Sequence, residues 1–435
     1  MDRSHTAPWA SPRAQQRLAA VEGALPADPA AAVAQAAAAA REHARRIDQT
    51  CLQLYAGTNV ASPLVAALHE AALAAQPSMG YPGDKYQAGL EPVDVVEVTA
   101  AEAVARVMGA RFAEVRPTSA TIANLAVYAA LAKPGDTIAV LPDWAGGHLS
   151  HHEIGVPGVR GLRVAPLPYD DEALDVDLAA LPEFLAREQP ALVVVGASLM
   201  LFPHRLTEIA AAVGSVPLLY DASHVAGLIA EQRFQDPLNQ GADLVTFSTY
   251  KSFGGPPGGA IVTNDEPLAE RVSTAVYPGL VANYDVSRLA PLAAAALERE
   301  RSAGAYADQC IANAKALAGE LAAAGLDVLG EHRGFTASHH VALDARAFGG
   351  GAAAARRLAD GNILLSEIGI PRDPAGGVRI GTQAITRQGF IEADMPAVAA
   401  AIAANLRGDD VREQVEALRR SRDGLRWCLT PADLS

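Results

Sequence analysis

The sequence predicts an α/β protein: a large domain on a mostly parallel sheet between helices, then a smaller C-terminal α/β domain. Two patterns predict it. From about residue 92, short apolar runs alternate with segments of helical spacing, as strands buried on both faces alternate with crossover helices. After about residue 300 the alternation gives way to a long helical stretch and shorter strands. The chain has 435 residues, half of them hydrophobic, enough for one large and one small core. The expected divisions are an N-terminal arm and helix at 1–48, a large domain at 49–300 and a small domain at 301–435.

The elements follow in order. The first 26 residues are polar and rich in Ala and Pro, an arm. Asp28-Pro29 then opens an alanine-rich helix, Asp as cap and Pro at the first helical position. Residues 93–108 have helical spacing, 112–115 form a short strand, Arg116-Pro117-Thr118-Ser119 turns, and 121–132 is helical. Pro134-Gly135-Asp136 is a turn before a strand at 137–141. Residues 192–196, 216–221 and 243–247 are further buried strands. Residues 301–324 read as one long helix and 340–343 as a strand. Gly349-Gly350-Gly351 reads as a loop and not a phosphate site.

Charge and composition exclude several classes. The net charge of -14 argues against nucleic acid or an anionic membrane as the main partner. Residues 1–5 lead into polar sequence, so no signal peptide is expected, and no apolar run reaches membrane-spanning length. Cys51, Cys310 and Cys428 are odd in number and far apart, which reads as free thiols in a reducing cytoplasm.

Chemistry concentrates where strands end. Lys251 follows the strand at 243–247 and precedes the turn Gly254-Gly255-Pro256-Pro257-Gly258-Gly259, which no central strand tolerates. A lysine held there, beside Ser248 and Tyr250, is placed to form a Schiff base with an aldehyde cofactor. Asp221 ends another strand, with Ser223-His224 next. A carboxylate at that point can keep a pyridine nitrogen protonated. Ser119-Ala120-Thr121 begins a helix, a place for an anion. His148 follows Gly146-Gly147, where an imidazole can stack on a flat ring. A metal site of His148, His151, His152 and Glu153 is the rival, without a cysteine or second cluster to complete it. Arg379, in Val378-Arg379-Ile380-Gly381, suits bidentate capture of a carboxylate.

These motifs resemble the serine hydroxymethyltransferase family over about residues 52–390. The likeness is carried by Asn59-Val60-Ala61-Ser62-Pro63, Gly80-Tyr81-Pro82-Gly83, Asp221-Ala222-Ser223-His224 and Arg379-Ile380-Gly381-Thr382, among others. The resemblance implies fold type I, a seven-stranded sheet, and pyridoxal 5'-phosphate. It implies Lys251 as the Schiff-base lysine, Asp221 on the ring nitrogen, and His148 stacked on the ring. His224, Ser198, Ser248 and Tyr250 lie close to the cofactor, and Ser119, Ala120 and Thr121 hold its phosphate. Arg379 binds the substrate carboxylate. Tyr81 and residues 277–285 reach a neighbour's site, so at least a homodimer, or a dimer of dimers, is expected.

The departures set the expected activity. The family's Ser-Glu before Asn59 reads Gly57-Thr58. Its tyrosine and glutamate before Gly80, which act on folate and substrate, read Pro77 and Met79, and a second tyrosine reads Gln87. The histidine before the lysine is Tyr250, and the loop arginine is Pro257. Neither Pro nor Met transfers a proton. General acid–base help is worth roughly 10²–10⁴-fold, so folate-dependent transfer should be crippled. The expected enzyme makes or breaks the Cα–Cβ bond of a serine-, threonine- or α-methylserine-type amino acid without folate, as an aldolase or as a transaldolase with an aldehyde acceptor. The alternatives are folate-dependent hydroxymethyl transfer, racemisation or transamination at Cα, and a non-catalytic binding role.

Overall fold

A computed structural model of the chain describes residues 7–434. The polar opening at residues 1–5 lies outside them. The chain divides into two compact units, Met1–Cys51 and Leu52–Ser435. In the first, the stretch read as an arm carries a helix, α1 (Pro12–Gly23), whose cap Ser11 accepts from the Ala14 N–H at 3.3 Å. Its Ser-Pro start is the usual signature, but the apolar residues behind it are too few to announce a helix. The alanine-rich helix α2 (Pro29–Gln49) begins as expected, with Asp28 accepting from the Ala31 N–H at 3.0 Å.

The second unit holds a seven-stranded sheet. Its strands are β1 (Phe112–Glu114), β2 (Thr137–Val140), β3 (Arg163–Pro166), β4 (Leu192–Val195), β5 (Leu218–Asp221), β6 (Leu244–Ser248) and β7 (Gly259–Thr263). Their spatial order is β1-β7-β6-β5-β4-β2-β3. Only β7 runs antiparallel to its neighbours. The strands β2, β4, β5 and β6 are buried throughout, which is why their sequences are continuous apolar runs and do not alternate. Helices α3 (Glu91–Val107) and α4 (Ala120–Leu131) connect into this sheet and share its core.

The stretch expected as one helix at 301–324 is broken. Helix α5 (Leu289–Ser302) ends at Ala303 (φ 50°) and Gly304 (φ 94°), and α6 (Ala305–Ala323) starts afresh. Alanine-rich sequence has uniform helix propensity across the break, so Gly304 was the one visible punctuation. A second core packs α6 and α7 (Met395–Arg407) on a three-stranded antiparallel sheet. That sheet comprises β8 (His340–Asp344), β9 (Ser366–Ile370) and β10 (Asp373–Gly381), in the order β8-β10-β9. No described helix is long and apolar enough to cross a membrane.

Candidate active site

The carboxyl ends of the parallel strands open on one cavity of about 90 Å³, the position at which open α/β sheets collect ligands. After β1 the chain turns through Ser119, which caps α4 by accepting from the Ile122 N–H at 3.2 Å. Ala120 and Thr121 line the cavity. First-turn N–H groups have no partner within a helix, so this end offers donors and the positive end of the dipole. Gly259 of β7 lies against the turn. A Cβ there would stand 2.3 Å from the Ser119 carbonyl oxygen, so no other residue lets β7 pack this closely.

Asp221 ends β5 and is surrounded by donors. Its Oδ2 accepts from His151 Nε2 at 2.8 Å and Asn124 Nδ2 at 3.1 Å, and its Oδ1 accepts from the Ser223 N–H at 2.9 Å. Burial alone would raise its pKa, but His151 and Ser223 hold it well below the ordinary carboxylate range. His151 in turn meets the Tyr128 hydroxyl through Nδ1 at 2.5 Å. Asn124 also accepts from Thr246 of β6 at 2.7 Å. His148 Nδ1 accepts from the Ser150 N–H at 3.1 Å, which assigns the proton to Nε2. Burial brings this imidazole down to about 4, so it stays neutral at pH 7.

Lys251 follows β6 by three residues and is 7% exposed. Burial lowers its amine to about 8, with Asp221 opposing and Arg379 reinforcing. Nζ lies 3.0 Å from His224 Nε2. The other nitrogen of that ring, Nδ1, faces the Ala56 carbonyl at 3.3 Å. Asn59 steadies the loop by donating to the Lys251 carbonyl at 3.1 Å.

Arg379 of β10 is buried. Its Nη1 donates to the Ser198 carbonyl and lies 3.3 Å from His224 Nε2, and its Nη2 lies 3.4 Å from Ser366 Oγ. Its Nε has no partner, and among the described residues no carboxylate pairs with it. Burial lowers its pKa to about 10. A buried guanidinium whose Nε the protein leaves unbonded can take an anionic ligand.

Ser119, Ala120, Thr121, His148, Ser198, Asp221, His224, Ser248, Tyr250 and Lys251 therefore all line this one cavity, and Arg379 adjoins it. Tyr81 does not. It lies on a separate surface cleft, 42% exposed, with its hydroxyl 3.2 Å from Ser273 Oγ and its ring 4.9 Å from the Arg116 guanidinium.

Sequence reading missed the support. Asn124 was findable as a polar residue one turn into an apolar helix. The sequence offers His151 only as a metal ligand, whereas its two ring nitrogens are committed to Asp221 and Tyr128. Pro257 leaves its loop without a cation, but Arg288 reaches under the Ser119 turn to the carbonyls of Val115 (2.6 Å) and Pro117 (3.0 Å). His339 and His340, rings 4.3 Å apart, lie behind His224. The sequence showed His340 only as the start of a strand.

The residues fit pyridoxal 5'-phosphate. A helix N-terminus suits its phosphate, an ionised buried carboxylate its ring nitrogen, a neutral imidazole its face, and a depressed amine its aldehyde. Fold and site together define a fold-type I pyridoxal-phosphate enzyme.

Comparison with known proteins places it further. The serine hydroxymethyltransferase family matches residues 31–402. The chain is 42% identical to an alpha-methylserine aldolase of Variovorax paradoxus, over 97% of this chain and 98% of that one. It is 43% identical to a serine hydroxymethyltransferase of Methanopyrus kandleri, over 85% of this chain and 89% of that one. The crystal structure of an L-threonine transaldolase from Pseudomonas fluorescens, in its internal aldimine state, superposes with a TM-score of 0.84. That protein is 27% identical over 97% of this chain and 98% of its own. The chain belongs to the serine hydroxymethyltransferase family. It is a pyridoxal-phosphate enzyme of that family, similar to relatives named aldolase and transaldolase as well as to ones named serine hydroxymethyltransferase.

Proposed function

We propose that the protein is a folate-independent aldolase that cleaves an α-substituted serine, of the α-methylserine type, to formaldehyde and the shortened amino acid. The observation that carries this reading is the cavity's charge inventory. Asp221 is the single carboxylate among its lining residues, and it is committed to three donors. At the positions where the family keeps acid–base groups for folate, Pro77 and Met79 offer none. The relatives named alpha-methylserine aldolase, matched nearly end to end, support it.

The residues divide the work. Ser119, Ala120 and Thr121 would hold the cofactor's phosphate, Asp221 its ring nitrogen, and His148 its face, with Ser198, Ser248 and Tyr250 around it. Bound pyridoxal phosphate supplies an electron sink for the pair left on Cα. Arg379 fixes the substrate carboxylate and so sets which Cα bond stands perpendicular to the cofactor plane. Lys251, whose amine burial lowers to about 8, would take the β-hydroxyl proton as the Cα–Cβ bond breaks and formaldehyde leaves, and would return a proton to Cα. His224 accepts from that amine and orients it.

A second reading, transfer of the aldol fragment to another aldehyde, is favoured by the similarity to the L-threonine transaldolase. One set of assays tests both. Purified protein is incubated with α-methylserine, L-serine and L-threonine, with and without tetrahydrofolate or an acceptor aldehyde. Formaldehyde from α-methylserine at a rate indifferent to folate is expected. Release that requires folate would overturn the proposal, and a new β-hydroxy product made only with acceptor would establish the second reading.

We also place the protein in the cytoplasm as at least a homodimer, with Tyr81 reaching the neighbour's site. Its place on a separate cleft, outside the lining of this chain's own cavity, supports that. Light scattering of the holoenzyme checks it, and a monomer with full activity would refute it.

A further inference from the structure

Four charged side chains lie wholly buried beside the turn that carries Lys251. Glu231, Glu298, Arg299 and Arg387 have no exposed side-chain surface. Arg299 donates to Glu231 at 2.7 Å, Arg387 donates to Glu298 Oε2 at 2.7 Å, and Arg299 lies 3.8 Å from Glu298. Both guanidinium groups stand over the Tyr306 ring, at 4.3 and 5.5 Å. Charges out of water are tolerable only where their remaining polar atoms find partners. Here the end of the chain supplies them. The Leu429 N–H donates to Glu298 Oε1 at 2.9 Å, and the Arg426 N–H donates to the Arg387 carbonyl at 2.7 Å. The Leu64 N–H holds the Leu429 carbonyl at 2.9 Å, and the Trp427 ring meets Tyr306 at 6.0 Å.

The other side of the cluster faces the lysine. The Lys251 carbonyl accepts from Asn59 Nδ2 at 3.1 Å and from the Gly254 N–H at 3.0 Å. Both donors rest on the cluster. Asn59 Nδ2 also donates to the Tyr306 hydroxyl at 3.0 Å, and that hydroxyl donates to the Gln383 carbonyl at 2.8 Å. A Cβ at Gly254 would stand 2.8 Å from Arg387 Nη2, so the turn lies directly on that guanidinium. Arg387 Nη1 donates to the carbonyl of Val60, next to Asn59, at 2.8 Å. One unbroken set of contacts therefore runs from Leu429 through Glu298 and Arg387 to the turn of Lys251.

We propose that residues 426–429 are a strap that positions Lys251, so that seating of the strap and capture of the cofactor are coupled. The proposal rests on the reading of Lys251 as the cofactor's lysine. Such coupling is reciprocal: a strap that favours bound cofactor is itself held by bound cofactor to the same factor, commonly about 5–150-fold. Cys428 reports it. It lies within the strap and is partly exposed, whereas Cys51 and Cys310 are fully buried.

Wild-type apoprotein and holoenzyme are treated with iodoacetamide, and modification of Cys428 is timed by peptide mass. The rate should fall at least about fivefold when the cofactor is bound. In the full chain, Trp427→Ala takes the strap off Tyr306, and Leu429→Pro removes the N–H that Glu298 accepts. Each should weaken cofactor affinity about tenfold and move the pH midpoint of the cofactor's absorbance. A role in stability alone would lower the melting temperature and leave affinity and midpoint at their wild-type values. That result, or one Cys428 rate with and without cofactor, overturns the proposal. If a variant does not fold, the wild-type labelling decides by itself. Borohydride reduction of the holoenzyme keeps the two readings apart. Cofactor fixed to another lysine sinks the assignment of Lys251, whereas a Lys251 adduct with labelling indifferent to cofactor sinks the strap alone.

Discussion

Lys251 Nζ lies 3.0 Å from His224 Nε2, and that nitrogen is an acceptor because the ring turns Nδ1–H to the Ala56 carbonyl. Burial, with the charges of Lys251 and Arg379, keeps His224 well below its ordinary pKa. The imidazole therefore stays neutral and accepts from the amine whether or not the amine is charged. It aims Nζ without adding a competing charge.

This pairing makes cofactor capture pH-dependent in a set direction. The folded amine titrates at about 8, below its ordinary 10.5, so the neutral nucleophile accumulates as pH rises toward 8. Apoprotein should take up pyridoxal phosphate into a borohydride-reducible bond about tenfold faster per pH unit below that value, then level off. Stopped-flow absorbance reads the profile. A rate still climbing at pH 10 would show an unperturbed lysine. Lys251→Arg should yield no mass adduct after reduction.

His151 is the group that keeps Asp221 ionised in a buried place. His151→Phe leaves the carboxylate without its 2.8 Å donor, and a buried acceptor so deprived costs about 1–3 kcal/mol. Urea unfolding of the apoprotein should show that loss at pH 7. Asp221 is depressed in the fold, so the stability it contributes is present above its unfolded pKa and is lost as pH falls toward its folded value. The variant's deficit should therefore shrink in acid. A deficit constant from pH 7 to 3 would mean His151 acts by packing alone.

Arg379→Lys keeps charge but loses the planar fork. With the guanidinium already donating to Ser198 and poised at Ser366, a lysine cannot reproduce the geometry. KM for the amino acid should rise about 10–100-fold, with kcat falling less. A fall in kcat with KM unchanged would say that Arg379 acts only in the transition state.

What was readable in the sequence follows from range. Strands buried on both faces announce themselves as apolar runs, and Lys251, Asp221 and Ser119 stand next to them, so the ligand end of the sheet could be read directly. The break at Ala303-Gly304 could not, because alanine has the same propensity on both sides. Tyr128, His151 and Asn124 lie 23 to 122 residues from the groups they meet, and no local pattern encodes such pairings.

Glu97 ties together the two segments that differ most from the family. Buried on α3, it accepts from Ser78 Oγ at 2.7 Å, pairs with Lys85 and accepts from the Tyr284 hydroxyl. Asn283, in the same loop as Tyr284, accepts from the Ser78 N–H at 3.0 Å. The hairpin of Gly80–Tyr81 and Asp84–Lys85 is thus bound to the loop before α5 through one carboxylate. Removing its charge strands Lys85, whose side chain is 5% exposed, with Asp94 4.0 Å away as its nearest remaining carboxylate. Glu97→Gln should cost about 3–5 kcal/mol, whereas Glu97→Gln with Lys85→Met, which removes the stranded cation, should recover most of it. Tyr284→Phe should cost about 1 kcal/mol. Hydrogen exchange should speed up together in residues 78–86 and 281–285 in the single Glu97 variant. If the double variant is no more stable than the single, or exchange rises in one segment alone, Glu97 does not couple them.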